Sequence, residues 1–382
     1  MKKFLPYGHQ AIDGSDIASV ASVLKSDWIT QGPVVDQFER SVATYCNVRY
    51  AVAFSSGTAA LHAAYAAGGI EPGDEVITTP MTFAATASAI VYCGGKPVFA
   101  DIQKDTLNIS PAEIKKKITK RTKAIAVVDF AGHPADLDTI RTIAKAHNLL
   151  VIEDAAHALG SEYKGKKVGS LSDMTIFSFH PVKAITTGEG GMVVTNRKDF
   201  YEKLKIFRSH GIVKKPEKGA WYYEIETLGN NYRITDFQCA LGLNQMKKVK
   251  KFIQRRREIV QQYNKAFRSI QEIVAPVEKV YAKSAYHIYV IRLRLELLRV
   301  GRREVFDALR KKGLGVQVHY VPAHFHPFYK KTFGYKQGDF PEAEAYYNEA
   351  ITLPLFPAMT SAQVKSVVRT VQEVISQFRK RR

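Results

Sequence analysis

The part of the chain between residues 50 and 195 alternates short apolar stretches with stretches of helical length. The sequence predicts strands at 50–54, 75–79, 97–100, 124–130, 149–153, 174–179 and 192–195, and helices at 59–67, 84–92, 112–118 and 137–147. This alternation predicts a doubly wound α/β layer with a mainly parallel sheet. Ligands of such sheets bind beyond the carboxyl ends of the strands, so the residues that follow each strand are candidates for chemistry.

The regular alternation of short strands and helices ends at about residue 235. A helical region extends to residue 270, and strands at 286–293 and 315–319, a helix at 302–312 and two later helices follow it. Apolar residues at helical spacing predict that the last helix is buried on one face: Val364, Val367, Val368, Val371, Val374, Ile375 and Phe378. We therefore predict a large α/β domain over 1–248, which includes an N-terminal arm, and a smaller α+β domain over 249–382.

Composition excludes several classes of protein. The 382 residues are 46% hydrophobic and 24% charged, which is typical of a globular chain. The three cysteines lack the spacing of a metal site or a disulfide framework, and no stretch reaches the roughly 18 apolar residues of a membrane span. No apolar run typical of a signal peptide follows the first residues, so we expect a cytoplasmic protein. The net charge of +20 favours anionic partners, which include nucleic acid, membrane surfaces and phosphorylated metabolites.

Three places that follow predicted strands carry polar groups. The turn Ser55-Ser56-Gly57-Thr58 begins a helix and could bind a phosphate, although a simple N-cap is the commoner role of such a turn. Asp154 follows an apolar strand, where it either needs a cationic partner or caps the next turn. Lys183 could form a Schiff base if its amine pKa is lowered, although most lysines are solvated.

Together these groups fit pyridoxal 5′-phosphate (PLP), which needs an amine, a carboxylate for its ring nitrogen, a phosphate cradle and an aromatic cover. Lys183 and Asp154 supply the first two, and Phe83 could cover the ring. Three residues could hold the phosphate: Gly57, Thr58 and Ser178. The chain contains neither the dinucleotide-binding G-x-G-x-x-G pattern nor a Walker motif.

From end to end, the chain resembles the fold-type-I, PLP-dependent sugar aminotransferases of the DegT type. The motifs that carry the resemblance are Trp28-Ile29-Thr30-Gln31-Gly32-Pro33, Ser56-Gly57-Thr58-Ala59-Ala60-Leu61, Glu153-Asp154-Ala155-Ala156-His157, Gly188-Glu189-Gly190-Gly191, Arg208-Ser209-His210-Gly211, Asn231-Tyr232-Arg233 and His319-Tyr320-Val321-Pro322. Longer stretches around Asp154, Lys183 and 208–233 are most similar to the pseudaminic acid branch, whose enzyme aminates C4 of a UDP-linked 4-keto-6-deoxy sugar.

The resemblance implies a role for each site residue. Lys183 would attach to the cofactor and then move a proton between the substrate carbon and C4′, and Asp154 would keep the ring nitrogen protonated. His157 would lie beside the ring's phenolic oxygen, and Phe83 would cover the ring. Three residues would take the phosphate: Gly57, Thr58 and Ser178. Asn231 would reach the phosphate in the neighbouring subunit, which implies a homodimer. Three residues would lie near the sugar: Thr30, His319 and Tyr320.

The implied reaction moves an amino group from L-glutamate to a UDP-linked keto-sugar. Three alternatives stay open: another nucleotide-linked keto-sugar as substrate, a dehydratase variant of the fold, and a basic regulatory or nucleic-acid-binding protein. Dehydratase relatives replace the lysine at position 183 by histidine, and no nucleic-acid-binding module is visible in the sequence. A zinc site at His319, His324 and His326 is disfavoured because no cysteine or well-spaced carboxylate joins them. We expect the basic run at 247–257 to be a solvated helix face.

Overall fold

A computed structural model describes residues 4–380 of the chain. Its helices are α1 (Gly14–Leu24), α2 (Pro33–Cys46), α3 (Gly57–Ala67), α4 (Ala84–Tyr92), α5 (Pro111–Lys117), α6 (Leu137–Ala146), α7 (Lys198–Arg208), α8 (Asp236–Met246), α9 (Val249–Phe267), α10 (Arg302–Lys311), α11 (Pro327–Phe333), α12 (Pro341–Glu349) and α13 (Ser361–Phe378). Its strands are β1 (Tyr50–Phe54), β2 (Glu75–Thr78), β3 (Lys96–Phe99), β4 (Thr122–Val128), β5 (Leu150–Asp154), β6 (Glu162–Tyr163), β7 (Lys166–Lys167), β8 (Met174–Ser178), β9 (Gly191–Thr195), β10 (Ile212–Lys214), β11 (Tyr223–Ile225), β12 (Ile273–Val274), β13 (Ala282–Lys283), β14 (Tyr289–Leu293) and β15 (Ala350–Leu353).

A seven-stranded central sheet has the order β1-β9-β8-β5-β4-β2-β3. Its neighbours pair in parallel from β8 to β3, whereas β9 is antiparallel to both β1 and β8. The loop between β8 and β9 contains no helix, and a parallel connection normally requires one. The predicted α/β fold class with a mainly parallel sheet is therefore confirmed. The carboxyl ends of β4, β5 and β8 lie side by side, because these three strands are adjacent and parallel.

A second, antiparallel sheet of β12, β14 and β15 belongs to the C-terminal part of the chain. Its core includes the apolar stripe of α13, whose members are buried except for the partly buried Val368 and Phe378. Leu5 of the N-terminal arm packs in this same core, and its amide donates to the Gly313 carbonyl oxygen at 2.9 Å. The arm thus contacts the C-terminal part of the chain, and residues 1–3 lie outside the described part. The division at residue 248 stays a prediction.

Helix α9 passes from one core to the other. Its first turns place Val249 and Ile253 in the core beside the central sheet, whereas Val260 and Tyr263 lie in the core of the C-terminal sheet. Arg256 lies between these two pairs and is only 1% exposed. The expectation that 247–257 forms a solvated face is therefore wrong at Arg256, because this residue falls on the helix's apolar stripe.

Among the described residues, we find no helix that is both long and apolar enough to cross a membrane. The cytoplasmic location of the protein stays a prediction.

Candidate active site

A cavity of about 700 Å³ lies at the carboxyl edge of the central sheet. This volume lies within the range of small-molecule and cofactor sites. Nine of the residues singled out in the sequence line it: Gly57, Thr58, Phe83, Asp154, His157, Ser178, Lys183, His319 and Tyr320. They come from several elements, because the parallel strands all end at this edge.

One end of the cavity is formed by the start of α3. The Ser56 side chain caps this helix by accepting from the Ala59 amide at 3.1 Å. The amides of Gly57 and Thr58 occupy the first two helical positions, where a helix offers no carbonyl partner. A Cβ atom at Gly57 would lie 3.0 Å from Ser178 Cβ and 3.2 Å from Ser178 Oγ. The absence of a side chain at Gly57 therefore lets the helix end and Ser178 form one cradle, where an anion can meet backbone amides.

Asp154 is buried at the end of β5. Its Oδ2 accepts a hydrogen bond of 2.6 Å from Thr86 Oγ1, and its Oδ1 accepts one of 3.1 Å from the Ala156 amide. Burial raises the pKa of Asp154, and these hydrogen bonds together with the nearby charge of Lys183 oppose that rise. A cation placed against this carboxylate would favour its ionised form. The sequence analysis missed Thr86, since nothing in the local pattern of α4 distinguishes it from an ordinary helix residue.

Lys183 lies in the loop after β8 and lines the same cavity. The pKa of its amine is lowered to about 8, and burial is the main cause. The carboxylate of Asp154 opposes this lowering, whereas the charge of Arg256 adds to it. A substantial fraction of the amine is therefore neutral near physiological pH, which is the form that acts as a nucleophile and as a general base.

His157 is held in one tautomer. Its Nδ1 accepts a hydrogen bond of 3.3 Å from the Ala131 amide, and burial lowers the pKa of the imidazole well below its usual value. The neutral ring then carries its proton on Nε2, which lies 3.1 Å from Tyr320 Oη. Tyr320 accepts this hydrogen bond and keeps its own hydroxyl proton available for a ligand in the cavity.

Two further histidines belong to this cavity wall. The ring of His287, which the sequence analysis did not identify, lies 4.3 Å from that of His157 between ring centroids. Its buried Nδ1 has no hydrogen-bond partner among the described residues. Burial lowers the pKa of His319 to about 4, and its Nδ1 lies 2.8 Å from Thr352 Oγ1. Burial likewise lowers the pKa of His287 well below its usual value, so all three imidazoles are neutral and none adds a positive charge beside Lys183.

The other two histidines of the disfavoured zinc alternative face different surroundings. Buried His324 pairs through Nε2 with Glu344 Oε1 at 3.0 Å, whereas His326 is exposed at the rim of the cavity.

Thr30 and Asn231 are not among the residues that line the cavity of the single chain. Both are exposed, and each forms a backbone bridge, Thr30 with Thr235 and Asn231 with Ser209. Phe83 does line the cavity, yet it is 60% exposed, and its ring centroid lies 5.9 Å from that of Tyr320. The roles expected for Thr30 and Asn231 therefore require either a second subunit or a movement of the chain.

Comparison with known proteins identifies the family. Residues 10–372 match the model of the DegT/DnrJ/EryC1/StrS aminotransferase family. The chain belongs to this family. It is 42% identical over 379 residues to a UDP-4-amino-4,6-dideoxy-N-acetyl-beta-L-altrosamine transaminase of Campylobacter jejuni, and the match covers 98% of this chain and 99% of that one. It is therefore a sugar aminotransferase.

Solved structures agree with this assignment. Helicobacter pylori PseC, an aminotransferase of pseudaminic acid biosynthesis, aligns with a TM-score of 0.93 and 35% identity over 98% of this chain and 100% of that chain. The PLP form of the Streptococcus pneumoniae protein Spr1654 aligns with a TM-score of 0.91 and 32% identity over 98% and 99%. The aminotransferases of the DegT family depend on PLP, and so does this chain.

The residues of the cavity fit PLP. The cradle at Gly57, which a Cβ would fill, suits a phosphate, and the buried carboxylate of Asp154 forms no ion pair with any residue in 4–380, so a protonated ring nitrogen could pair with it. The amine of Lys183 faces the same cavity. The donor set therefore matches the charged and reactive groups of this cofactor.

Gly57→Ala should weaken PLP binding by about tenfold or more, which corresponds to roughly 1.4 kcal/mol. The new methyl group would crowd Ser178 and narrow the cradle, while the helix itself tolerates alanine. Fluorescence titration of the apoenzyme with PLP measures the change. The matched control is Gly14→Ala at the start of α1, where a Cβ meets no atom within 4 Å. Equal affinities for both variants would contradict the proposed cradle.

Proposed function

We propose that this aminotransferase moves an amino group from L-glutamate to C4 of UDP-2-acetamido-2,6-dideoxy-β-L-arabino-hex-4-ulose, a step of pseudaminic acid biosynthesis. The observation that carries the proposal is the convergence of Lys183, Asp154 and the Gly57 cradle on one cavity. The choice of sugar is supported by the high similarity to the Campylobacter jejuni transaminase and to PseC over nearly the whole chain.

The reaction requires a proton to leave one carbon and reach another within a closed site. PLP, when bound, supplies an electron sink that stabilises negative charge on the reacting carbon. Asp154 holds a proton on the ring nitrogen through its negative charge. Lys183, with a pKa of about 8, accepts a proton at Nζ and returns it on the same face of the site.

Neutral hydrogen-bonding groups position the two substrates. Tyr320 can donate its hydroxyl proton into the cavity because its oxygen already accepts from His157. Burial raises the pKa of Tyr320, so the hydroxyl stays protonated and acts as a donor. His319 lies beside it, with a ring centroid 4.8 Å away. We propose that this pair contacts the sugar and that His157 lies beside the phenolic oxygen of the cofactor.

A second copy of this chain completes the site in our proposal. Exposed apolar side chains cluster in and after the β10–β11 hairpin: Trp221, Tyr223, Ile225 and Leu228, the last of them 89% exposed. Asn231 follows this stretch and is exposed as well. Apolar surface of this kind is typical of an interface. In a homodimer, Asn231 would reach the phosphate held by the partner, and Thr30 would lie near the partner's sugar.

Mixing two inactive variants tests this arrangement. Lys183→Ala removes the reacting amine, and Asn231→Asp places a negative charge against the phosphate, so each homodimer should lose activity. After random reassembly, half of the dimers are mixed and each has one intact site, so we expect about a quarter of the wild-type activity per protein. No recovery would contradict a contribution of Asn231 from the partner subunit, and sedimentation as a monomer would contradict the dimer.

A panel of keto-sugars tests the substrate. The wild-type enzyme with L-glutamate should aminate the UDP-linked 4-keto-6-deoxy-N-acetylhexosamine at C4, with NMR and mass spectrometry of the product as the readout. Lys183→Ala is the matched control, and its turnover should fall by about a thousandfold or more because the nucleophile and base are lost. Reaction of dTDP-linked 4-keto-sugars alone would contradict the proposed sugar and favour another nucleotide-linked keto-sugar as the substrate.

A further inference from the structure

Arg256 is a buried cation that forms no ion pair within the described part of the chain, and it lies directly behind the cavity wall. Its guanidinium is only 1% exposed, and burial lowers its pKa to about 10, so it stays protonated at neutral pH. No carboxylate within residues 4–380 forms an ion pair with it, and its buried Nε has no hydrogen-bond partner there. A buried charge without an ion-pair partner destabilises a fold, so we looked for a functional role of Arg256.

The guanidinium joins three separate segments of the chain. Nη1 donates to the carbonyl oxygens of His287 and Leu355, each at 2.9 Å, and Nη2 donates to the Val182 carbonyl oxygen at 3.4 Å. Val182 directly precedes Lys183, and the ring of His287 lies against that of His157. Leu355 follows β15 of the C-terminal sheet. One side chain thus connects the loop of Lys183 to the cavity wall and to the C-terminal sheet.

The position of Arg256 in α9 explains how the charge is held there. Six of the seven buried residues of the helix recur at alternating spacings of four and three, and Ile259 is buried beside them: Val249, Ile253, Arg256, Val260, Tyr263 and Phe267. Arg256 therefore occupies a core position where the helix crosses between the two sheets. Its sequence neighbours Arg255 and Arg257, in contrast, form ion pairs. Arg257 pairs with Glu278 Oε1 at 2.6 Å, and Arg255 reaches Glu258 and the Met359 carbonyl oxygen.

We propose that Arg256 is a positioning residue that fixes the Lys183 loop to the cavity wall, and that its unpaired charge favours the unprotonated nitrogen of Lys183. The inference rests on the proposed role of Lys183 as the residue that attaches PLP. The physical basis of this effect is Coulomb repulsion: in a site of low polarity, the positive charge of Arg256 disfavours a second positive charge on Lys183.

The other groups that face Lys183 set the background for this effect. The charged and titratable residues around the amine are Asp154, Arg256, His157, His287 and His319, and further titratable residues that line the same cavity are Tyr7, His180, Glu189, Tyr320 and His326. Burial keeps His157, His287 and His319 neutral, and Asp154 opposes Arg256 by favouring the protonated amine. Among the buried groups, Arg256 is therefore the cation whose removal should raise the pKa of Lys183.

The test compares two replacements in the full-length holoenzyme. Arg256→Met removes the charge and keeps a side chain of similar length, whereas Arg256→Lys keeps the charge and loses the fork of donors. The visible absorption band of the bound cofactor changes as the attached nitrogen of Lys183 gains a proton, so a spectral pH titration reports its protonation. We expect the midpoint to rise by about one pH unit in Arg256→Met and to stay near the wild-type value in Arg256→Lys.

Arg257→Met removes a neighbouring charge that pairs with Glu278 instead, and its midpoint should equal that of the wild type. An unchanged midpoint in Arg256→Met, or an equal shift in Arg256→Lys, would overturn the electrostatic role. If Arg256→Met fails to fold, Arg256→Gln takes its place, because it removes the charge and retains amide donors.

Lys183→Ala separates this inference from the proposed function. Its bound cofactor should show no such titration. If the titration persists in Lys183→Ala, the proposed role of Lys183 is wrong. If the titration depends on Lys183 but does not respond to the loss of the Arg256 charge, only the role of Arg256 is wrong.

Discussion

The buried carboxylate of Asp154 imposes the strongest physical demand on this structure. An ionised carboxylate at the end of a buried strand is costly unless hydrogen bonds and positive charge surround it. Thr86 and the Ala156 amide each donate one hydrogen bond, and Lys183 contributes charge from across the cavity, yet burial still raises the pKa of Asp154. A protonated ring nitrogen would supply the missing cation, so the arrangement is suited to a cofactor that carries one.

The protonation states of the other cavity-wall residues are consistent with this requirement for positive charge at Asp154. Burial keeps three of the histidines in the wall neutral, so they can offer directed hydrogen bonds without competing for the charge of Asp154: His157, His287 and His319. The pKa of Lys183 falls to about 8 because burial and Arg256 outweigh the attraction of Asp154. Asp154, Arg256 and the amine of Lys183 thus act on one another in this site, and the pKa of the amine lies near physiological pH.

Sequence patterns predicted the groups that directly follow strands, because strand periodicity and the parallel sheet together determine where strand ends meet. Lys183 and Asp154 were predicted in this way. Thr86, His287 and Arg256 were missed because they come from helices or from distant segments, and only the packed fold brings them to the cavity. A usable signal existed for Arg256, which falls on the apolar stripe of α9, but the run of basic residues around it indicated a solvated face. The role proposed for Asn231 follows from the family resemblance, because this residue does not follow a strand of the central sheet.

In our proposal, Lys183 is the residue that holds the cofactor. Reduction of the holoenzyme with borohydride makes the bond between PLP and its lysine permanent, and mass spectrometry of the digested protein then locates the pyridoxyl group. We predict a single modified peptide that contains Lys183. A pyridoxyl group on any other lysine, or quantitative release of unmodified PLP after reduction, would contradict the account.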